Sequence, residues 1–282
     1  MTVYLAGTQT RPYVVENFYR NALKLTRGAE MTVFLAGKFP FNEEMWSDKV
    51  KALGVSILES FYYITPWQER MIPHFKSFIL DSGAFTLFTD KSKGNGIRWE
   101  EYVDRYADFV RKNNVSLFFE LDIDSLVGYR KVLELRDRLE RKAGRHCIPV
   151  WHRSRGKAEF LKSCDSHKYV AIGGIVSKEI RPNEYDVFPW FIRQAHEKGA
   201  KIHGLGFTSL AGLTRCHFDS VDSTTWLVGD RFSNICRFEC VKGKWTMTQK
   251  HLYGKRCKDV AKLRQFNFNQ WVRFQEYAET HL

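Results

Sequence analysis

Long hydrophobic runs and Pro- or Ser-rich linkers are absent from this 282-residue sequence. No stretch approaches the roughly 18 uninterrupted apolar residues that a membrane-spanning helix needs. The sequence leads into a strand-like run at Val3 without a basic, apolar and small-residue signal. We therefore expect no membrane partner, a soluble cytoplasmic protein and no second full domain.

Cysteine is scarce and irregularly spaced. The six cysteines are Cys147, Cys164, Cys216, Cys236, Cys240 and Cys257. A chain of this length can bury a sizeable core without disulfides. We therefore expect reduced thiols and not a disulfide framework.

Acidic residues are outnumbered, with 32 Asp and Glu against 44 Lys and Arg, which gives a formal net charge of +12. Such a charge attracts polyanions, and nucleic acid is the leading candidate partner. An ordinary basic surface without a nucleic-acid partner is the alternative.

Short β-branched or aromatic runs alternate with longer amphipathic stretches, which is typical of repeated βα units. The pattern predicts an α/β protein with a TIM-type (β/α)8 barrel over residues 1–225. It predicts a C-terminal appendage over residues 226–282, made of a hairpin and a helix. Nine strands are candidates, one more than the barrel needs: Val3–Ala6, Thr32–Ala36, Ser56–Tyr63, Ser77–Leu80, Leu117–Leu121, Ile148–Trp151, Tyr169–Ile172, Lys201–Gly204 and Phe218–Val221.

Carboxylates recur where predicted strands end, at Asp81, Asp122, Asp124, Asp219 and Asp222. The carboxyl ends of barrel strands meet at one mouth, so we expect these groups to face a common pocket. Two carboxylates in different environments can act as nucleophile and as general acid/base at a glycosidic carbon. The alternative is that each one caps the helix that follows.

Glycines mark the same mouth, in Asp81–Phe85, Ile172–Ile175 and His203–Gly206. Small residues beyond a strand allow a ligand to approach the backbone, and exposed N–H groups there suit a flat purine. Tight turns without a ligand are the alternative for any single motif.

Six motifs in order, over about residues 76 to 225, resemble the tRNA-guanine transglycosylases. They are Asp81-Ser82-Gly83-Ala84-Phe85, Leu121-Asp122-Ile123, Ile148-Pro149-Val150, Ala171-Ile172-Gly173-Gly174-Ile175-Val176, His203-Gly204-Leu205-Gly206 and Phe218-Asp219-Ser220-Val221. The small size and the missing RNA-binding extras are more similar to phage relatives that place deazaguanines in DNA. The resemblance implies exchange of guanine for a 7-deazaguanine of the preQ0 type, by a phage-encoded pentosyltransferase in a bacterial host.

The resemblance also implies residue roles. Asp219 matches the nucleophile that attacks C1′ of the nucleotide and forms a covalent aspartyl intermediate, although Asp222 competes for this role. Asp81 matches the acid/base, and Asp122 the carboxylate that reads the N1/N2 edge of the base. The other base-binding candidates are Ser82, Gly83, Phe85, Trp151, His152, Gly173, Gly174, Ile175, His203 and Gly204. Phe85 and His203 are expected to sandwich the base.

Two departures from the family pattern matter. Val150-Trp151-His152-Arg153 stands where the family usually has Val-Gln-Gly-Gly, so His152 or the backbone is expected to contact the purine oxygen. The family's Cys-x-Cys-x-x-Cys zinc motif is absent. Cys236, Cys240, His251 and Cys257 could form an altered zinc site, but apolar packing of a strand is the favoured interpretation. We expect no cofactor or metal.

Basic residues crowd the predicted helix Leu126–Lys142, where pairing with acids on a solvated face is the favoured interpretation. Lys250, Lys255 and Arg256 interleave with aromatic residues and are better candidates for phosphate contacts. The absence of an RNA-binding module favours DNA over tRNA. The same exchange on tRNA, a hydrolase and a non-catalytic nucleic-acid-binding subunit remain alternatives.

Overall fold

Eight parallel strands form the centre of the molecule in a computed structural model that describes residues 31–37, 48, 50–89, 96–228, 233–251 and 259–282. The strands are β1 (Thr32–Ala36), β2 (Ser56–Ser60), β3 (Ser77–Asp81), β4 (Leu117–Phe118), β5 (Val150–Trp151), β6 (Tyr169–Ile172), β7 (Lys201–Gly204) and β8 (Ser220–Ser223). Their order is β4-β3-β2-β1-β8-β7-β6-β5.

The sheet closes on itself between its two ends. A parallel bridge joins Phe119, just after β4, to Ile148, just before β5. The N–H of Ile148 donates to the Phe118 carbonyl over 2.7 Å. The fold is therefore an α/β barrel of the TIM type, and that prediction is confirmed. The predicted strand Val3–Ala6 lies outside the described residues.

Helices connect and surround the strands: α1 (Pro66–Met71), α2 (Ala84–Thr89), α3 (Trp99–Lys112), α4 (Asp124–Val127), α5 (Tyr129–Ala143), α6 (Gly156–Ser166), α7 (Phe188–Glu197), α8 (Leu210–Leu213) and α9 (Val260–His281). Local sequence explains several boundaries. Thr65 and Gln68 form a capping box before α1. Gly144 ends α5 in the left-handed conformation. No helix in the described ranges is long and apolar enough to cross a membrane.

Because successive side chains of a strand point to opposite faces, the barrel strands contribute to two separate hydrophobic cores. One set of side chains fills the barrel interior: Phe34, Ala36, Leu58, Ile79, Phe119, Ile148, Val150 and Ala171. The alternate residues pack outward against the helices, as Leu35, Leu80 and Val221 do. Because side chains alternate, Asp81 shares the inward face of Ile79, two residues earlier. The strand pattern thus aims this carboxylate at the barrel mouth.

The C-terminal region adds an antiparallel hairpin, β9 (Asn234–Val241) and β10 (Lys244–His251), and helix α9. Gln275 of α9 is buried and donates to the carbonyls of Val33 and Ser56 over 2.6 Å each. The helix therefore packs directly on the β1–β2 side of the barrel. The hairpin packs on α9 through Phe238 and Phe274, whose ring centroids are 5.4 Å apart.

Candidate active site

A cleft of about 1170 Å³ opens at the carboxyl ends of the barrel strands. Its lining comes from the end of β3 and from the segments after β3, β4, β5, β6 and β7. The lining residues with chemical functions are Asp81, Ser82, Phe85, Asp122, Asp124, Tyr129, His152, Arg155, Glu159 and Glu179. Cleft and carboxylates occupy the end of the barrel where enzymes of this fold carry their chemistry.

Asp81 closes β3 and lines this cleft. The N–H of Gly83 donates to its Oδ2 over 3.0 Å. Burial raises the pKa of Asp81 to about 6, and the negative charges of Asp122 and Asp222 act in the same direction. A carboxyl that titrates near neutrality can both donate and accept a proton, as a general acid/base must.

Asp222 lies on β8 and is 9% exposed. Its Oδ1 accepts the N–H of Gly206 over 2.8 Å and lies 3.1 Å from Nε2 of His203. Alternation puts Asp222 on the same inward face as Ser220. Its charge acts on Asp81, so β3 and β8 bring these two carboxylates toward one region of the mouth.

Asp219 is not at the mouth, and the prediction that placed it there is wrong. This residue precedes β8, and its Oδ2 accepts the N–H of Ile202 over 2.7 Å. The same oxygen lies 2.9 Å from Nε2 of His196, near the end of α7. Three strand residues span about 10 Å, so Asp219 lies at the opposite end of β8 from Asp222. The predicted strand Phe218–Val221 began two residues too early.

A chain of three side chains forms one wall of the cleft. Nε2 of His152 lies 2.6 Å from Oδ1 of Asp122, and Nδ1 lies 2.9 Å from Oε2 of Glu179. Burial alone would lower the pKa of His152, but its hydrogen bonds and charge interactions with Asp122 and Glu179 raise it to about 9. The imidazolium donates from both nitrogens to carboxylates. The ring thus orients Asp122 and has no N–H left for a purine oxygen, which leaves the backbone as the remaining candidate for that contact.

Besides Asp122 and His152, five more predicted base-binding residues line the cleft: Ser82, Gly83, Phe85, Gly173 and Gly174. The ring of Phe85 is 57% exposed. Gly83 has a φ of +66°, and a Cβ there would collide with Ser60 Oγ and lie 2.5 Å from Cβ of Tyr62. Gly174 has a φ of +79°, and a Cβ on its backbone would lie 2.7 Å from Oε2 of Glu179. Both positions thus require glycine for conformation and for space.

Four other candidates lie away from the cleft. Trp151 points outward, donates to the Gly156 carbonyl over 2.8 Å and packs on Phe191 with ring centroids 4.4 Å apart. His203 is fully buried inside the barrel, 5.3 Å from the ring of Phe119, so it cannot sandwich a base.

Gly204 faces outward, where a Cβ would meet Phe218 and Phe207 at 3.2 and 3.3 Å. The side chain of Ile175 is buried in the outer core. These corrections share one cause. Outward and inward residues alternate along β5 to β7, and proximity to a motif does not fix which face a side chain takes.

Arg155 was not predicted as a site residue. It donates to Asp124 over 2.6 and 2.5 Å and to Glu120 over 2.7 Å, and its guanidinium lies 4.3 Å from the ring centre of Tyr129. The hydroxyl of Tyr129 donates to Glu159 over 2.8 Å. Four members of this network line the cleft: Asp124, Tyr129, Arg155 and Glu159. No short motif in the sequence links these residues.

Carboxylates outnumber cations in the cleft lining. The two cations of the lining are His152 and Arg155. Its five acidic residues are Asp81, Asp122, Asp124, Glu159 and Glu179. The cleft of this basic protein therefore suits a ligand that offers hydrogen-bond donors. Phosphate contacts would have to form elsewhere on the surface.

The candidate zinc residues are not gathered where the structure describes them. Cys236 is buried and Cys240 is exposed, four residues apart on β9. That spacing is about 13 Å in a strand, too far for two ligands of one zinc ion. His251 pairs with Asn234 at the other end of the hairpin. Cys257 lies outside the described residues.

Basic residues on α5 are paired, which confirms the interpretation of a solvated helix face. Arg138 lies 2.7 Å from Asp104, Lys131 2.5 Å from Glu100, and Arg141 2.8 Å from Asp137. Lys250 is exposed on β10. Lys255 and Arg256 lie outside the described residues, so their role in phosphate binding stays a prediction.

No protein-family model matches the chain, and no curated protein matches it. Among solved structures, the carboxyl transferase domain of Rhizobium etli pyruvate carboxylase with 3-bromopyruvate aligns with 99% of this chain and 54% of its own, at 11% identity and a TM-score of 0.46. The chain thus spans about half the length of that protein.

The aldolase QR15 aligns with 71% of this chain and 93% of its own, at 12% identity and a TM-score of 0.46. A protein from Aquifex aeolicus VF5 aligns with 91% of this chain and 98% of its own, at 9% identity and a TM-score of 0.46. Such distant similarities assign neither activity nor substrate, and the barrel is established by its strand pairing.

Proposed function

We propose that this protein is an enzyme that exchanges guanine in a nucleic acid, with DNA as the favoured polymer, for a 7-deazaguanine base. The observation that carries the proposal is that Asp81 and Asp222 lie on the inward faces of β3 and β8 near their carboxyl ends, where the charge of Asp222 helps to raise the pKa of Asp81. Two carboxylates in unlike environments are the groups that nucleophilic substitution at a glycosidic carbon needs.

Asp222 replaces Asp219 as the nucleophile in this proposal. Its carboxylate attacks C1′ of the target nucleotide, the C1′–N9 bond breaks, and the sugar is held as an aspartyl ester. The Gly206 N–H fixes Oδ1 of Asp222. Both hydrogen bonds that the described residues make to Asp222 engage this oxygen, so Oδ2 is the oxygen that attacks.

Asp81 is the general acid/base in this proposal. Protonated, it donates to guanine as that base departs; ionised, it accepts the proton of the incoming deazaguanine, whose nitrogen then attacks C1′ and releases Asp222. A pKa of about 6 leaves both forms populated near neutral pH. The proton given in the first half-reaction is regained in the second, so the exchange needs no other reactant.

The base edge is read by Asp122 in this proposal. An ionised carboxylate only accepts hydrogen bonds, and the N1 and N2 groups of guanine only donate. His152 occupies one oxygen of Asp122 and leaves the other for the base. A guanine within a duplex would have to be flipped out, at a cost of a few kcal/mol, to reach this cleft.

Release of labelled guanine tests the proposal. The protein is incubated with guanine-labelled duplex DNA and, separately, with tRNA, each with and without a set of 7-deazaguanines. We expect release from DNA that exceeds one equivalent per protein only when a base is added and that is lost in Asp222→Asn. Release from tRNA alone would reassign the polymer, release of many equivalents without an added base would indicate a hydrolase, and no release from either polymer would overturn the proposal.

A further inference from the structure

A second cluster of chemically active side chains lies at the amino ends of β5 and β6, opposite the cleft. Glu140 belongs to the last turn of α5, His146 follows that helix, and His167 lies between α6 and β6. Nothing in the proposed base exchange uses these residues.

The donor atoms of the cluster converge on one point. Oε2 of Glu140 lies 3.0 Å from Nδ1 of His146, and Oε1 lies 2.9 Å from Nε2 of His167. All three donor atoms lie within 4.8 Å of one another. Ligands at about 2.0 to 2.1 Å from a tetrahedral zinc ion are about 3.4 Å apart, so small side-chain movements would suffice.

Surrounding groups favour a proton on Nδ1 of His167. Nδ1 of this ring lies 3.3 Å from the carbonyl of Ser163, which can only accept a hydrogen bond, and 2.8 Å from Oγ of Ser166. When Nδ1 carries the proton, the Nε2 lone pair faces Oε1 of Glu140, which is also an acceptor. A proton or a metal ion on Nε2 removes this conflict, and metal-bound histidines commonly donate their other ring N–H to a carbonyl as His167 does.

Glu140 is held in place from another direction. The N–H of Cys147 donates to Oε1 over 3.0 Å, which orients the carboxylate toward the two rings. His167 is buried, whereas the side chain of His146 is 70% exposed. Two ligands are thus preset by the fold, and the third is free to close on an ion from solvent.

We propose that Glu140, His146 and His167 bind one divalent transition-metal ion, with zinc the best match, and that water completes its coordination. Two imidazoles and one carboxylate are a common zinc set and a poor one for magnesium or calcium, which prefer oxygen ligands. The ion ties the end of α5 and the chain before β5 to the start of β6. At this end of a barrel its role is structural.

Metal titration of untagged, EDTA-dialysed protein tests this site. Zinc is titrated against a chromophoric chelator, with His146→Ala as the main variant because an exposed ring can be removed without disturbing the core. His74→Ala, another exposed histidine outside the cluster, is the matched control. We expect one equivalent in the wild type and in the control, and at least a tenfold weaker affinity in His146→Ala.

The absorption spectrum of bound cobalt and the thermal stability of the zinc-loaded protein distinguish this site from a cysteine site. Cobalt bound to Glu140, His146 and His167 should show no thiolate charge-transfer band, and saturating zinc should raise the Tm by roughly 5 °C in the wild type and the control but not in His146→Ala. A thiolate band, equal affinity in His146→Ala, or failure to bind zinc would each overturn the proposal. Base exchange plays no part in these readouts.

Discussion

Nε2 of His152 lies 2.6 Å from Oδ1 of Asp122, and the opposite ring nitrogen lies 2.9 Å from Glu179. The ring of His152 was expected to contact the substrate, but in the structure it orients the carboxylate of Asp122. Both N–H groups are used, so the imidazolium has no donor left for a base. If Asp122 reads the base edge as proposed, that recognition depends on a residue that the base itself does not contact.

Removal of this ring should weaken binding of the base. In His152→Ala, Asp122 loses a charge-assisted hydrogen bond worth about 1.5 to 3 kcal/mol, so we expect KM for the deazaguanine to rise about tenfold with a smaller change in kcat. Steady-state kinetics with saturating DNA measure both constants. His74→Ala is the control, and an unchanged KM would remove His152 from base recognition.

The same histidine should make stability depend on pH. Its folded pKa of about 9 lies above the ordinary value of 6.5, so its stabilisation is complete below about pH 6.5 and is lost as pH rises through 9. The wild type should therefore lose more stability than His152→Ala between pH 7 and 10, by about 2 kcal/mol. Urea unfolding at several pH values gives the comparison; parallel curves would contradict it.

Asp81 should oppose folding and serve catalysis. The pKa of Asp81 is raised from 3.8 to about 6, so the folded state disfavours the ionised carboxyl. The free energy of unfolding is therefore highest below about pH 4 and falls as pH rises through 6. We expect Asp81→Asn to be more stable than the wild type at pH 8, by on the order of 2 kcal/mol, and equal to it at pH 4. Guanine release should be lost at both pH values. A variant that is active, or less stable at pH 8, would count against the assigned role.

Gly83 should tolerate no side chain. A Cβ there would collide with Ser60 Oγ and lie 2.5 Å from Cβ of Tyr62, in addition to the strain of a φ of +66°. Gly144 is the matched control, because its φ is +72° but no heavy atom lies within 4 Å of its Cβ position. Gly144→Ala should cost about 1 kcal/mol and Gly83→Ala more, with loss of activity because the backbone shift that the new Cβ forces displaces the N–H that donates to Asp81. Equal thermal stability of the two variants would refute the close packing.

The net charge of +12 should promote DNA binding through contacts with phosphate groups. If it serves DNA binding, log Kd should depend on log salt concentration with a slope of about 0.9 per phosphate neutralised. Joint replacement of Lys250, Lys255 and Arg256 by Ala should reduce that slope and weaken binding to all sequences alike. Filter binding at several salt concentrations measures it. A slope unchanged by the triple variant would place the phosphate contacts elsewhere.

Periodicity predicted most of the barrel. Thr32–Ala36, Tyr169–Ile172 and Lys201–Gly204 are strands with the predicted bounds, because each combines β-branched or aromatic residues with clear turn signals. The predicted helix that began at Leu126 is two helices, because Gly128 with a φ of +80° separates α4 from α5.

The error at β8 shows why a strand boundary decides a mechanism. Phe218-Asp219-Ser220-Val221-Asp222 offers two carboxylates three positions apart, and local composition fits either register. Strand β8 starts at Ser220 through its pairing with Thr32 of β1 and His203 of β7. Such long-range contacts are not encoded in the neighbouring residues, so the sequence alone could not choose between the two carboxylates.

The buried ion pairs of Glu120 could not be predicted from the sequence either. Glu120 is fully buried and accepts from Arg136 over 2.6 Å and from Arg155 over 2.7 Å. These arginines lie 16 and 35 residues further along the chain. Nothing local marks such a network, because its members come together only when β4, α5 and the segment after β5 pack.

The covalent intermediate tests the central claim most directly. The protein is mixed with guanine-containing DNA without an incoming base, denatured and digested, and mass spectrometry locates the sugar ester. We predict an ester on Asp222, adduct formation that survives in Asp219→Asn, and none in Asp222→Asn. An ester on Asp219, or an adduct that persists in Asp222→Asn, would contradict the assignment of the nucleophile to the inward face of β8.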